Sequence, residues 1–507
     1  MFTIKVRGDY IRGKFKRARK SPRKIISIDP GDSGYRIGTF PVEPEHVGRA
    51  VEAAREASET WSRVEGADRA HALRRFAAQV VNRRAQLSQA LCAETGKPLW
   101  LAEKEVEQIS ARVESEISEG MQAVAPVHLP EIRFGVEGHC QFRPLGVMVV
   151  LGTASSPLAE ACHAILPALL AGNTVVFKPS KLAPACGQLL AELFDEADWP
   201  HGVFNMVQGD AALGLDLVAR SEVDGVWFTG SGPAGKRVLQ AAADPLRKLV
   251  ALHLGGLNTA MVLDDADLDR AIYQCVLGTY ANTGQALDAT ALILVDKRVF
   301  EAFVPAFVET VRSLKVGYGA DPGVFMGPLL SEFALERGLD RLARLKAAGA
   351  RELLASERIK LQRPGFYLSP SVFAAPKPDL LPALLSEGLS FGPDAILIPF
   401  STDKQAIELA NATRRPFVAS VVTEDSDHFE QVAEELRYGH IHQNLATCDR
   451  SMRLPSQGVG DSGNHRAGGL HAQRSCGHPV SILRSTDAHD SSRQVKAFPG
   501  RYLIRED

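Results

Sequence analysis

PALLAGNTVVFKPS, residues 167–180, is the stretch that decides how the chain folds. An apolar helical end passes through the Gly172-Asn173 turn into TVVF, a short β-branched run that closes on Lys178, Pro179 and Ser180. Short continuous apolar runs of this kind are strands buried on both faces, which parallel sheets require. Reading outward, VMVVL precedes it and VFNMV, GVWF and KLVALHL follow, each separated from the next by a helical stretch. That β-α-β rhythm predicts an α/β fold with a doubly wound, largely parallel sheet. After Gly255 a second series begins, with AMVL, a helix through AIYQCVLGTYAN, then ALILV, AILIPF and FVASVVT, so two Rossmann-type units stand in tandem. Upstream, from His46 to about Val124, apolar residues recur at helical spacing in AVEAAREASETWSRV, ALRRFAAQVVNRRAQLSQALCAETG and LAEKEVEQISARVESEISEGMQAV, predicting three long amphipathic helices. EIRFGVEGHCQFRP alternates and contains glycines, the signature of a small β-hairpin arm. From Gly439 the chain turns glycine-rich and polar before VSILR, which reads as loop returning to a strand, and residues 486–507 read as weakly structured.

At 507 residues the chain is long enough for two to four units of about 100 to 200 residues each. Hydrophobic residues at 45% and charged residues at 23% exclude the disordered and fibrous classes. A formal net charge of -2 gives no global attraction to nucleic acid or to an anionic membrane. The basic cluster between Lys5 and Lys24 reads as a solvated edge strand and turn protected by Lys and Arg rather than as a nucleic-acid patch. Seven scattered cysteines without a C-x-x-C pair point to a reduced, cytoplasmic protein without a zinc motif. No apolar run approaches the ~20 residues of a membrane span, and no signal-type apolar core opens the chain.

Lys178 stands at the end of a buried strand, where α/β sheets collect ligands, within reach of a ribose or phosphate. FTGSGPAG (228–235) likewise ends a strand and opens a helix at Gly230 and Ser231, with free N–H groups suited to a pyrophosphate. Together the two favour a dinucleotide-binding ancestry. With GGLN (255–258), TGQ (283–285), MGPLLS (326–331), FGP (391–393) and GVGDSGNHR (458–466), they follow the order found in the aldehyde dehydrogenase superfamily, which the chain resembles over nearly its whole length. Within it, ETGKPLW (94–100) and SGNHR (462–466) are most similar to the succinylglutamate semialdehyde dehydrogenase branch. The resemblance implies a nucleotide-binding-type domain over 1–128 and 145–253, and an oligomerisation arm over 129–144 and 467–485. It also implies a catalytic-type domain over 254–438, a return segment over 439–466, and assembly into a homodimer or higher homo-oligomer. The implied chemistry is thiolate attack on an aldehyde, hydride transfer to NAD or NADP, then hydrolysis of the thioester.

The residues that this chemistry needs are replaced. The nucleophile position after Gly284-Gln285-Ala286 holds Leu287, whose alkyl side chain forms no covalent adduct. Ser155, in GTASSP, stands where the family has an asparagine oxyanion donor, and losing such a donor typically costs ~10² to 10³ in rate. His253 replaces the carboxylate that activates water; a histidine is itself a general base near neutral pH, so this change alone is not disabling. Leu389 replaces the glutamate that grips the nicotinamide ribose, Pro455-Ser456-Gln457-Gly458 replaces Pro-Phe-Gly-Gly, and Lys181 replaces the acidic residue after KPS. No cysteine lies within ten residues of Leu287; Cys275 and Cys162 sit on apolar helices and read as buried core thiols.

The expectation is a pseudoenzyme, kept for assembly, regulation, or binding to a partner protein or active paralogue. No metal and no cofactor is required. Two alternatives remain. One is a sensor binding NAD or NADP weakly through Lys178, Gly230, Ser231 and Lys181, the last suited to a 2′-phosphate. The other is a hydrolase built from Ser155 or Ser156, His253 and Asp288, although no nucleophile-elbow sequence surrounds either serine.

Overall fold

A computed structural model describes residues 2–17, 21, 23–133, 135–375 and 392–485. Two seven-stranded sheets carry it. In the first, the order is Leu249–Leu254, Gly225–Gly230, Val147–Leu151, Thr174–Lys178, Phe204–Met206, Asp9–Ile11, Lys14–Lys16. The first five of these run parallel, and the basic N-terminal segment closes the sheet as an antiparallel hairpin on Phe204–Met206. Val147–Leu151 and Thr174–Lys178 are buried throughout, which is why they read as unbroken apolar runs. The chain departs from Val147–Leu151 to one side and later returns to its other side, so a crevice opens at the strand ends where Leu151, Lys178 and Gly230 lie side by side.

The second sheet has the order Arg351–Leu354, Ser371–Ala374, Asp394–Phe400, Thr290–Asp296, Asn258–Val262, Val418–Val422, His440–Gln443, parallel except at Arg351–Leu354. A third sheet, antiparallel, joins Val127–Arg133, Val136–Pro144 and Gly477–Ser485. Leu389 and the tail 486–507 lie outside the described residues.

Two elements differ from the sequence reading. The stretch expected as one helix from Ala72 to Gly96 breaks at Arg83 (φ -104°, ψ 13°) into Gly66–Asn82 and Arg84–Thr95. Arg83 turns its guanidinium onto Glu192 and Glu196, both at 2.8 Å, so a contact distant in sequence fixes the bend. The glycine-rich return segment contains the strand His440–Gln443, whose polar residues gave no apolar run to detect.

The motif residues hold helix starts. Glu94 accepts hydrogen bonds from the backbone N–H groups of Ala185 (2.8 Å) and Cys186 (2.6 Å), at the start of helix Pro184–Glu196. Glu105 accepts from Leu158 and Ala159 at the start of helix Ala159–Leu170, buried at every residue but Glu160, and its second oxygen pairs with buried Lys97. Carboxylates satisfy the orphan donors and the positive end of each helix dipole. At the open edge of the first sheet, the Asn464 side-chain amide accepts from Leu252 N (2.9 Å) and donates to Val250 O (2.7 Å).

Candidate functional site

A cavity of about 320 Å³ opens between helix Leu99–Ser115, the start of helix Ala159–Leu170 and the loop that follows helix Leu268–Tyr280. Ser155, Ser156, Leu287 and Asp288 all line it. The loop is strained: Asn282 (φ 53°), Thr283 (φ 57°) and Gly284 (φ 67°) occupy the left-handed region in succession. For a β-branched residue this conformation costs about 1 to 3 kcal/mol and persists only where surroundings over-determine it. Here Asn282 Nδ2 donates to Ser155 O (3.1 Å), Thr283 Oγ1 donates to Gly327 O (3.0 Å), and Gln285 Oε1 accepts from Leu330 N (2.8 Å). Gly284 has no alternative, since a Cβ there would sit 2.1 Å from Gly392 O.

This turn delivers Leu287, buried against Phe417 and Val418. Its carbonyl accepts from Gly256 N (3.2 Å) and Asn258 Nδ2 (3.1 Å), which stitches the GGLN motif to the loop.

The polar centre beside Leu287 is Arg450. Its Nε donates to Asp288 Oδ2 (2.6 Å), one Nη to Glu160 Oε1 (3.2 Å) and the other to Ser456 Oγ (3.1 Å), while its guanidinium carbon lies 4.9 Å from the Phe417 ring centre. All three charged side chains are nearly enclosed. Burial presses the Glu160 carboxyl upward, but neighbouring His163 and Arg450 outweigh it and hold the group well below the usual carboxylate range. His163 Nδ1 lies 3.7 Å from Glu160, beyond hydrogen-bond distance, and burial pushes that imidazole down, so Arg450 is the lasting cation at neutral pH.

His253 stacks face to face on Trp227, with ring centres 4.6 Å apart at 8°. With Leu287 it lines a cleft of about 10 Å³, at the lower limit for one water. Its Nε2 is buried and finds no hydrogen-bond partner among the described residues, and burial pushes the imidazole down to about 4. It is thus uncharged at neutral pH but a weaker base than one poised near 7.

The serines, His253 and Asp288 form no relay. Ser155 Oγ has Thr153 Oγ1 at 3.5 Å, His253 Nε2 is unpartnered, and Asp288 is held by Arg450. Cys162 and Cys275 are buried, and burial pushes both thiols up, Cys275 to about 12. Cys448 does line the larger cavity, but burial pushes its thiol up to about 12 as well, so it carries no thiolate at neutral pH.

In the crevice of the first sheet, Lys178 is buried and donates to Pro179 O (2.6 Å) and Gly209 O (3.0 Å), leaving one of three ammonium donors. Burial pushes it down to about 8. Ser231 stands at the N-cap of helix Gly232–Ala241 with its hydroxyl making no cap hydrogen bond, Gly230 ends the adjacent strand, and Lys181 is exposed.

Residues 17–478 match the aldehyde dehydrogenase family. The chain belongs to that family. Curated relatives include N-succinylglutamate 5-semialdehyde dehydrogenases from Hahella chejuensis (32% identical, covering 94% of this chain and 96% of the relative) and Burkholderia cenocepacia (33%, covering 91% and 94%). They agree with the branch that ETGKPLW and SGNHR suggested. Among solved structures, the aldehyde dehydrogenase fold recurs in HpcC from Thermus thermophilus (TM-score 0.90, 30% identical, covering 96% of this chain and 95% of that one). It recurs also in an NAD-dependent aldehyde dehydrogenase from Sinorhizobium meliloti (0.90, 28%, covering 97% of each).

Sequence reasoning missed Glu160, His163 and Arg450. The readable signal was a carboxylate and a histidine three apart in the otherwise apolar helix AEACHAILPALL, which calls for a buried cation. Arg450→Ala leaves Glu160 and Asp288 buried without their cation, and we expect a loss of ~3 to 5 kcal/mol at pH 7, read from melting or denaturant curves. In the parent chain the Glu160 carboxyl is held below its unfolded value of about 4.3. Its stabilisation is therefore fully present above that value and lost as pH falls below it. The Arg450→Ala penalty should therefore hold from pH 7 down to about 4.3 and shrink below it, and a penalty that stays constant as pH falls well below ~4 would contradict this account.

Proposed function

We propose that this aldehyde dehydrogenase-family chain has no dehydrogenase turnover and serves an assembly or regulatory role. The observation that carries the reading is Leu287, delivered by a strained turn to the wall of the cavity. Acyl transfer from an aldehyde needs a nucleophile that forms a covalent bond to the carbonyl carbon, and an alkyl group supplies none. Ser155 in place of an amide donor and the low basicity of His253 support the same conclusion.

Binding of NAD or NADP, on this reading, is weak and not required. Lys178, Gly230 and Ser231 hold the adenosine end, and Lys181 is placed for a 2′-phosphate. Nothing in the reading gives the nicotinamide end a carboxylate. The chain also forms at least a homodimer. The edge strand Val127–Arg133 is exposed along its whole length, with Val127, Leu129 and Ile132 each about half exposed, and such an edge calls for cover.

Four experiments test these statements. With a panel of aldehydes that includes succinylglutamate semialdehyde, NADH or NADPH production should not exceed the no-enzyme rate; turnover above that rate refutes the central reading. Leu287→Cys alone should remain inactive, because a thiol in an apolar pocket stays protonated, whereas combining it with Ser155→Asn, His253→Glu and Leu389→Glu should restore a trace. In melting experiments, a dinucleotide at ~100 times its Kd should add ~2.7 kcal/mol, and Lys178→Ala should abolish the shift. A shift that survives Lys178→Ala removes this residue from the site. Light scattering at micromolar concentration should give at least twice the 54.8 kDa of one chain, and a stable monomer overturns the assembly claim.

A further inference from the structure

The antiparallel arm sets His128 directly opposite His139, and Glu137 lies two residues before His139 on the same face of the sheet. The two imidazoles stack at 4.3 Å and 10°. His128 Nε2 is 3.3 Å from Glu137 Oε2, His139 Nε2 is 3.4 Å from Glu137 Oε1, and the three potential ligand atoms all lie within 4.8 Å of one another. We propose that these three side chains form a zinc-type site, independent of the cavity around Leu287, that clasps the two strands of the arm.

The distances carry the argument. Ligands about 2.0 to 2.1 Å from a tetrahedral zinc ion must lie ~3.3 to 3.4 Å from one another. Each imidazole nitrogen already lies at that length from one Glu137 oxygen, His128 from Oε2 and His139 from Oε1, so a small rotation of the carboxylate brings one oxygen into reach of both. A hydrogen bond accounts for only half of the pairing: His128 Nε2 is within hydrogen-bond distance of Glu137, whereas His139 Nε2 is buried beside the same carboxylate and makes none, which a shared cation would resolve. Two imidazoles and one carboxylate suit zinc and its first-row neighbours rather than calcium or magnesium, which take oxygen ligands. The remaining tetrahedral position is left for water. Thiolate takes no part: Cys140 follows His139 and so projects from the opposite face. Arg484 Nη1, 3.4 Å from Glu137 Oε1 on the third strand, is the only other charged group paired with this carboxylate among the described residues. Its side chain is 68% exposed, so it can swing into solvent when the metal arrives. An ion here would pin Val127–Arg133, whose pairing slips between Leu129 and Arg133, to its neighbour.

The test is calorimetric titration of the full chain with Zn²⁺, followed by absorption spectroscopy of the Co²⁺-substituted protein. We expect one saturable site per chain, weakened at least about 100-fold by His128→Ala, Glu137→Gln or His139→Ala and unchanged by Cys140→Ser or Cys448→Ser. Cobalt should give the intense visible bands of a four-coordinate ion without a thiolate charge-transfer band, and these bands should vanish in His128→Ala. His128 is half exposed, so that variant folds even if His139→Ala does not, and its melting curve without metal should match the parent. Absence of stoichiometric binding, binding unaffected by His128→Ala, or a thiolate band would each overturn the proposal.

Discussion

Everything around the cavity depends on one constrained turn. Asn282, Thr283 and Gly284 hold left-handed backbone while Asn282 reaches across to Ser155 in the other α/β unit and Thr283 to Gly327, and a carbonyl of Gly392 leaves no room for a Cβ at Gly284. Three successive residues in a sparsely populated region are expensive, and folds keep such strain where it positions something. In this chain the turn positions a leucine. Hydrogen bonds from Gly256 and Asn258 to its carbonyl keep the backbone of Leu287 in place as well.

Beside that turn lies a buried network of charges. The Arg450, Glu160 and Asp288 network fills the polar part of the site with mutually satisfied ions. A buried ionic triad adds little net stability over an apolar substitute but penalises any rearrangement that separates its members. It therefore ties helix Ala159–Leu170, the loop after Ala286 and the segment around Arg450 into one arrangement, and leaves Asp288 with no freedom to act as an acid or base toward the serines.

How much of this was legible in the sequence follows from the type of signal. Val147–Leu151 and Thr174–Lys178 were readable because burial on both faces forces an apolar run, and the arm hairpin because one wet face forces alternation. His440–Gln443 was not, since a polar edge strand is defined by its neighbour's hydrogen bonds rather than by its own side chains. The break at Arg83 depends on carboxylates over a hundred residues away. Leu287, Ser155 and His253 could be located because flanking motifs fix their register. The pairing of Glu160 with Arg450 spans 290 residues, so Glu160 and His163 in an apolar helix announce a buried cation without saying which residue supplies it.

The amide of Asn464 has a further consequence for the chain's behaviour in a crowded solution. Leu249–Leu254 ends the first sheet, and a parallel, largely apolar edge offers a row of backbone donors and acceptors to any extended chain that approaches. By donating to Val250 and accepting from Leu252, Asn464 imitates a single residue of a neighbouring strand, and Gly463 adds a bridge to His253. The Asn464 side chain and the Gly463 backbone thus occupy part of the row of groups that an incoming strand would need.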